Sequence, residues 1–347
     1  MPCRADALIE AITAANSAGG GTLRLTPGCR YALTQPRPDT DSGLPPIAAP
    51  ITINGNGATI TRSTAATTPD FRILEILGAP AKLTIRLTTI SNGISIGDQV
   101  PGGGHSGGGI LVREGGALAA AVITVTGNSG SVGGIHNYGT AQLTDSGVTG
   151  NTGAWGGGLN NTGGTLSLVR TLIRDNVTQS DIGMGGGIYN SQGGTTTVTG
   201  SVISRNLGID NGGGIHNEGN LGVSDSWITQ NRAASLFGVP VVVQGGGIYN
   251  AGTARILRSL VSGNHSQRQQ SPTATTAIAG GISNDGTENP DVVTTLERSL
   301  VVGNTAVDQP GGISNAAGAF NLDDSLVVLN TPTNCAGSPD PVPHCSG

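Results

Sequence analysis

The chain has 347 residues, of which 59 are glycine, with only 11% charged and 3% aromatic side chains and a formal net charge of -5. So few bulky and charged groups exclude an ordinary packed α/β domain, and the acidic balance with scattered arginines excludes a basic nucleic-acid footprint. No apolar run reaches the roughly 18 residues of a membrane-spanning helix, while Val, Ile and Leu recur too regularly for a disordered chain.

Residues 6–17 read as a short amphipathic helix, with Leu8, Ile9 and Ile12 on one side, stopped by Gly19-Gly20-Gly21. Strand-like alternation follows in residues 22–25 and 31–33. Residues 51–62, Ile-Thr-Ile-Asn-Gly-Asn-Gly-Ala-Thr-Ile-Thr-Arg, read as two short strands around an Asn-Gly turn. Alternation continues through 71–77 and 83–90, and a Gly-rich loop at 91–109 leads into the regular region.

From there one motif recurs. Gly-Gly-Ile ends at Ile110, Ile135, Ile188, Ile215, Ile248, Ile282 and Ile313, with Leu159 standing in once. From Ile135 onward an Asn follows two positions later, at Asn137, Asn161, Asn190, Asn217, Asn250, Asn284 and Asn315. The spacing, roughly 24 to 34 residues, is that of stacked structural repeats. Between these elements sits a second one, Leu-x-x-Ser-x-Val/Ile-x-x-Asn, as in Leu143 to Asn151 and Val223 to Asn231. Its period-two alternation turns Leu143, Val148 and their equivalents inward. Each repeat should hold about three short strands, with like residues stacked about 4.8 Å apart. The two Asn columns, Asn137 to Asn315 and Asn128 to Asn330, should form internal ladders.

The opening strands at 51–62 resemble the first coils of the pectin-lyase-like superfamily of right-handed parallel β-helices. The paired Gly-Gly-Ile and Val-x-x-Asn motifs are similar to the repeats of chlamydial polymorphic outer membrane proteins and of actinobacterial secreted β-helix proteins. The resemblance implies an all-β chain: a single-stranded right-handed parallel β-helix (solenoid) with an N-terminal capping helix. The expected division is a cap at 1–50, the β-helix at 51–330 and a C-terminal cap at 331–347. The superfamily mixes lyases, hydrolases, epimerases and adhesins, so activity has to be read from the site. The Asn-Thr-Asp and Asp-Asp signatures of pectinolytic members are missing from the repeated strand; Asp323-Asp324 lies in the last coil on another strand.

With the inward columns structural, function belongs to outward columns and unusual loops. The position between Ile and Asn presents His136, Asn160, Tyr189, His216 and Tyr249 in one line over five coils, either an ordinary exposed strand or a track that grips an extended polysaccharide. The connection into Gly-Gly lengthens at 177–185, 232–245 and 265–279, the last two forming a wall beside Tyr249, one with an apolar run at 236–243. A second outward column, Gly147, Leu172, Val202, Trp227, Leu260, Leu300 and Leu326, packs under a loop or helix or supports self-association.

Asp181, Asp210 and Glu218 are the carboxylates near the track. Asp210 and Glu218 flank His216, so these three are the candidate catalytic residues of a glycosidase; solvated turn residues are the alternative. A lyase would need Arg beside a uronate, for which Arg174, Arg205 and Arg232 are available with His136, Asn160, Tyr189 and Tyr249 as substrate-binding residues. His105, His136, His216 and His265 show no zinc spacing, and His136 and His216 are three coils, about 14 Å, apart. No metal site or cofactor is expected, and calcium dependence is left open.

Cys3 and Cys29 lie at one end and Cys335 and Cys345 at the other. An even count grouped end by end predicts two local disulfides, with metal ligation or free thiols as alternatives, and an oxidising compartment. Met1-Pro2-Cys3 reads as a start placed on a mature domain, so an extracellular protein without its leader is expected. The sequence thus describes a secreted protein that binds an extended polysaccharide, and leaves open whether it also cleaves it as a lyase or glycoside hydrolase. A non-catalytic adhesin, or a small-molecule enzyme with a closed apolar pocket under Phe237, are the alternatives.

Overall fold

Short strands in tandem leave unpaired backbone groups along both edges, and stacking the repeats gives each strand a partner above and below. The computed structural model describes residues 1–38, 40–95, 107–180, 183–235, 242–268, 276–345 and 347. It is a right-handed parallel β-helix with one capping helix. Successive coils pair in parallel and in register: Ile188 faces Leu159 on one side and Ile215 on the other, and Asn190 faces Asn161 and Asn217.

A coil has four short strands, one more than the motif spacing suggests. In one coil they are Ile215–Asn217, Asn220–Ser224, Trp227–Thr229 and Arg232–Ser235. The first strands stack into a nine-stranded sheet running from Leu74–Ile76 to Ile313–Asn315. The second and third strands share one large sheet, and the fourth strands form a seven-stranded sheet. The fourth strand is as short as two residues, as at Thr152–Gly153, which is too short to leave a periodic signal.

The Gly-Gly of each repeat is a packing requirement. A Cβ on Gly214 would stand 2.6 Å from the carbonyl oxygen of Gly247, and one on Gly187 would stand 2.6 Å from that of Gly214. Main chain lies on main chain where the coil turns onto the nine-stranded sheet, and only glycine fits. The Ile that follows is fully buried, as Ile188, Ile215 and Ile248 are.

Both Asn columns are buried ladders. Asn217 Nδ2 donates to Asn250 Oδ1 at 2.7 Å and accepts at Oδ1 from Asn190 at 2.7 Å, and Nδ2 also donates to the carbonyl of Gly219 at 3.1 Å. The second ladder continues from Asn128 through Asn206 and Asn231 to Asn330, again amide to amide at 2.9 to 3.0 Å. Cutting a rung leaves buried donors and acceptors unmatched. Asn217→Ala is therefore expected to destabilise the fold by about 2–4 kcal/mol, read as a drop in urea midpoint at unchanged m-value.

The Asn-Gly at 56–57 does not make a hairpin. Pro50–Arg62 is one strand whose register against Lys82–Ser91 shifts between Asn54 and Ala58. Asn56 takes φ 52°, and the coils above repeat the bend at Leu87 with φ 52° and Val122 with φ 55°. A left-handed residue here turns a corner of the coil without reversing the chain. Further along, the same corner is occupied by Asp145, Arg170, Asp225 and Arg258, all with positive φ, and neighbouring corners are tied by Arg170–Asp145 at 2.6 Å and Arg258–Asp225 at 2.7 Å.

Ala5–Ser17, α1, closes the first coil with Leu8 and Ile12 fully buried. Cys3–Cys29 ties it to the first strands, and Cys335–Cys345 ties the C-terminal tail. The apolar column with Trp227 stacks in register from Gly147 to Leu326. Trp227 is 59% exposed and Leu326 56%, with no covering loop or helix among the described residues.

Candidate active site

The line of residues between Ile and Asn is in register, His136 beside Asn160, then Tyr189, His216, Tyr249 and Ser283. The rings stack: Tyr189 and His216 have centroids 5.1 Å apart and planes at 21°, and His216 and Tyr249 are 4.6 Å apart at 22°. This offset geometry suits ring quadrupoles and holds the side chains in place. The line is not the open strip that alternation alone suggests. His136 and His216 are 1% and 2% exposed, and only Tyr189 and Tyr249 are half-buried. Turns rise on both sides of it and make it the floor of a groove.

At Tyr249 the groove widens to a polar cleft of about 500 Å³. Met184 and Asn211 form one side and Glu218, Asp285 and Glu288 the other, with His216 and Tyr249 between them. Glu218 Oε1 accepts from the Tyr189 hydroxyl at 3.0 Å and meets His216 Nε2 at 3.1 Å. The hydrogen bond from His216 holds the Glu218 carboxyl below its ordinary pKa, so it is a carboxylate. A carboxylate only accepts, so Nε2 carries a hydrogen, and the other ring nitrogen is Nδ1. That Nδ1 is buried and has no partner among the described residues.

Asp210 has the opposite environment. It is 6% exposed, its Oδ1 has no partner among the described residues, and burial pushes its pKa up to about 6. It directly precedes Asn211 of the cleft wall, and the charges of both Asp210 and Glu218 act on the Tyr249 hydroxyl. Gly212, with φ 67°, makes this approach: a Cβ there would sit 2.8 Å from His216 Cα. Burial, with the neighbouring carboxylates, raises the Tyr189 and Tyr249 hydroxyls far above their ordinary range, so both remain donors.

Asp285 accepts from Tyr249 Oη at 3.0 Å and from Gln244 Nε2 at 3.3 Å, and Gln244 Oε1 accepts from Ser283 Oγ at 2.8 Å. Gln244 belongs to the described end of the expected wall, where Val242–Gln244 pairs with Thr276–Ile278. Residues 236–241, with Phe237, as well as Asp181 and His105, lie outside the described residues.

His136 and Asn160 serve a neighbouring pocket of about 310 Å³, apolar in character, whose wall includes Trp155 and Tyr189. Trp155 is 42% exposed and continues the ring stack, 6.4 Å from Tyr189 at 28°. Trp155→Ala is expected to weaken the binding of a ring-bearing ligand seated in this pocket about tenfold through loss of a stacking face. With Trp227→Phe as background, Trp155 is the remaining one of two tryptophans, and quenching of its fluorescence on titration reports the same contact.

The arginines lie elsewhere. Arg174 and Arg205 both pair with Asp175, at 2.7 and 2.8 Å, on the exposed large-sheet side. Arg232 is on the seven-stranded sheet, aligned with Leu207 and His265, and its guanidinium faces the Gln267 amide, whose oxygen accepts from it once the amide is turned over. None of them lines the cleft among the described residues. No group of three or more His, Cys, Asp or Glu side chains converges as metal ligands among the described residues.

No protein-family model and no curated protein matches the chain. Among solved structures it is similar to an alginate lyase from Paenibacillus sp. str. FPU-7, at 14% identity over 93% of this chain and 97% of that one, with a TM-score of 0.41. It is also similar to the A-module of the mannuronan C-5 epimerase AlgE4 of Azotobacter vinelandii, at 15% identity over 95% and 94%, TM-score 0.43. A third is the Dettilon tailspike protein, at 14% identity over 91% of this chain and 64% of that one, TM-score 0.35. The architecture of this chain stands on its own strand pairing.

Proposed function

We propose that the protein is a secreted glycoside hydrolase acting on an extended polysaccharide bound along the His136 to Tyr249 groove. The observation that supports this reading is a pair of carboxyl groups with opposite environments: Glu218 lines the cleft, and the buried Asp210 directly precedes the cleft residue Asn211. Among the described residues Asp210 is buried with no partner at Oδ1, and burial keeps it protonated up to about pH 6, while Glu218 is held ionised by His216. Glycosidic hydrolysis requires one acid and one base across the scissile bond. Asp210 donates its proton to the glycosidic oxygen as the bond to the anomeric carbon breaks. Water adds to that carbon and gives its proton to Glu218. His216 and Tyr189 are positioning residues that orient the Glu218 carboxylate.

Five stacked coils give a groove floor of about 20 Å, enough for several sugar units. Elimination is disfavoured because the cleft offers no Arg or Lys, among the described residues, to neutralise a uronate carboxylate. Two disulfides support an oxidising, extracellular setting. A binding-only adhesin finds support in the exposed Trp227 column, but that column leaves the buried Asp210 and the ionised Glu218 without a role. The test is a polysaccharide panel read for new reducing ends and for the ultraviolet absorbance of unsaturated products. Reducing ends without that absorbance, lost in Asp210→Asn, support hydrolysis. Unsaturated product, or no cleavage of any glycan the protein binds, sinks it.

A further inference from the structure

We propose that the pocket beside Trp155 receives the acetyl group of an acetylated sugar, so that the bound glycan carries acetamido or acetyl-ester substituents. This rests on the reading of the groove as a glycan site, not on cleavage. The fold makes the pocket with one turn. Gly156 takes φ 71°, and a Cβ there would meet the Leu159 carbonyl oxygen at 2.3 Å and Asn160 Cβ at 3.1 Å. So close a turn stands the preceding residue up as groove wall. The same place is held by Met184, Asn211 and Gln244 in the next three coils, each before a glycine of positive φ, Gly185, Gly212 and Gly245. Of these four wall residues Trp155 alone is aromatic, and with Val132 and Ala154 it encloses about 310 Å³ of mainly apolar space.

One polar group is turned into that space without a partner. Asn160 is 4% exposed and lines the pocket, and Thr162 Oγ1 donates to its Oδ1 at 2.8 Å, which leaves Nδ2 unpartnered among the described residues. Unlike the sealed Nδ1 of His216, this nitrogen is not cut off from the pocket surface, so its donors meet whatever fills the space. The described lining holds no carboxylate and no Arg or Lys. A uronate would shed water there with no Arg or Lys to receive it, and an ammonium would face a donor. A sugar hydroxyl would be desolvated against Val132, Ala154 and the indole, while a deoxy-sugar methyl would leave Nδ2 unmet. An acetyl group meets both demands: its carbonyl oxygen accepts from Asn160 Nδ2, and its methyl packs on Val132 and Ala154 under the Trp155 ring. Asn160 lies two coils, about 10 Å, from His216, so the acetyl group sets the register of the glycan beside the cleft.

The experiment titrates Trp227→Phe protein, in which Trp155 is the remaining one of two tryptophans, with N-acetylglucosamine, N-acetylgalactosamine, 6-O-acetylglucose, glucose, galactose, glucosamine and glucuronic acid. Trp155 fluorescence and magnetisation transfer to the ligand protons are read together. At least one acetylated sugar is expected to bind about tenfold or more tightly than its unacetylated parent, with the strongest transfer at the acetyl methyl. Equal binding of amide-linked and ester-linked acetyl supports recognition through carbonyl and methyl alone, and a preference for one identifies the linkage. Asn160→Asp replaces the free donors with a carboxylate of the same shape, and Ala154→Leu fills the apolar end from a separate turn in case the first variant misfolds. Each is expected to erase the acetyl preference. Binding of no acetylated sugar, equal binding of acetylated and parent sugars, a preference for glucuronic acid or glucosamine, or an acetyl preference that survives both variants overturns the proposal. Acetyl-selective binding by a wild-type protein that cleaves nothing sinks the hydrolase reading alone. Hydrolysis of an unacetylated glycan without acetyl preference sinks this proposal alone.

Discussion

Asp210→Asn is expected to lower turnover by about two to four orders of magnitude while making the protein more stable at neutral pH. Both effects come from one cause. Burial without a partner raises the folded-state pKa to about 6 from an ordinary 3.8. The group therefore holds its proton more tightly in the fold than in the unfolded chain. Its favourable contribution is complete below about pH 3.8 and is lost as pH rises through about 6. Above that, the fold must hold a desolvated carboxylate at a cost of roughly 3 kcal/mol at most. Asparagine has no proton to lose and is not charged. Thermal melts should place the variant above wild type near pH 8 and level with it near pH 4. A variant less stable than wild type at both pH values would mean that Asp210 is a structural hydrogen-bonding group, and the acid role would fall with it.

The repeat made the columns legible. Because like residues stack in register, the sequence alone placed Tyr189, His216 and Tyr249 in one line and put both Asn ladders inside. The pairing of Cys3 with Cys29 and Cys335 with Cys345 followed from their grouping at the two ends. What the alternation pattern could not show was the height of the walls. It marks His136 and His216 as outward, which they are, but outward into a groove rather than into water. Asp285 and Glu288 went unnoticed for a related reason. The connection from Asn217 to its next strand at Asn220 is short, whereas the one from Asn284 to Val293 is long and carries both acids to the cleft. That insertion was visible as a count between motifs. The fate of Arg205 was not, because its partner Asp175 reaches it from the neighbouring coil, from a left-handed corner, whereas Arg174 is paired with the Asp175 that follows it in the chain.

Glu218→Gln should bring a loss of similar size, about two to four orders of magnitude in turnover, and a different change in the pH profile. Glu218 is lowered first by the hydrogen bond from His216, with the Tyr189 hydroxyl adding to it. A lowered carboxylate contributes stability above its unfolded value near 4.5, and that contribution is lost as pH falls through the folded value. The wild-type rate should therefore climb on the acid side as Glu218 ionises below its ordinary pKa. It should fall on the alkaline side as Asp210 loses its proton around pH 6. Glutamine keeps an oxygen that accepts from Tyr189 and His216, so the ring stack is retained while the base is lost. The residual activity of Glu218→Gln should lack the acid limb and keep the alkaline one, and that of Asp210→Asn should show the reverse. Tyr189→Phe removes one of the donors to Glu218 but leaves both carboxyl groups, so it should move the acid limb upward without abolishing turnover. If Glu218→Gln keeps both limbs and most of its rate, Glu218 serves only to anchor the rings, and the proton acceptor must be sought among Asp285 and Glu288 on the same wall.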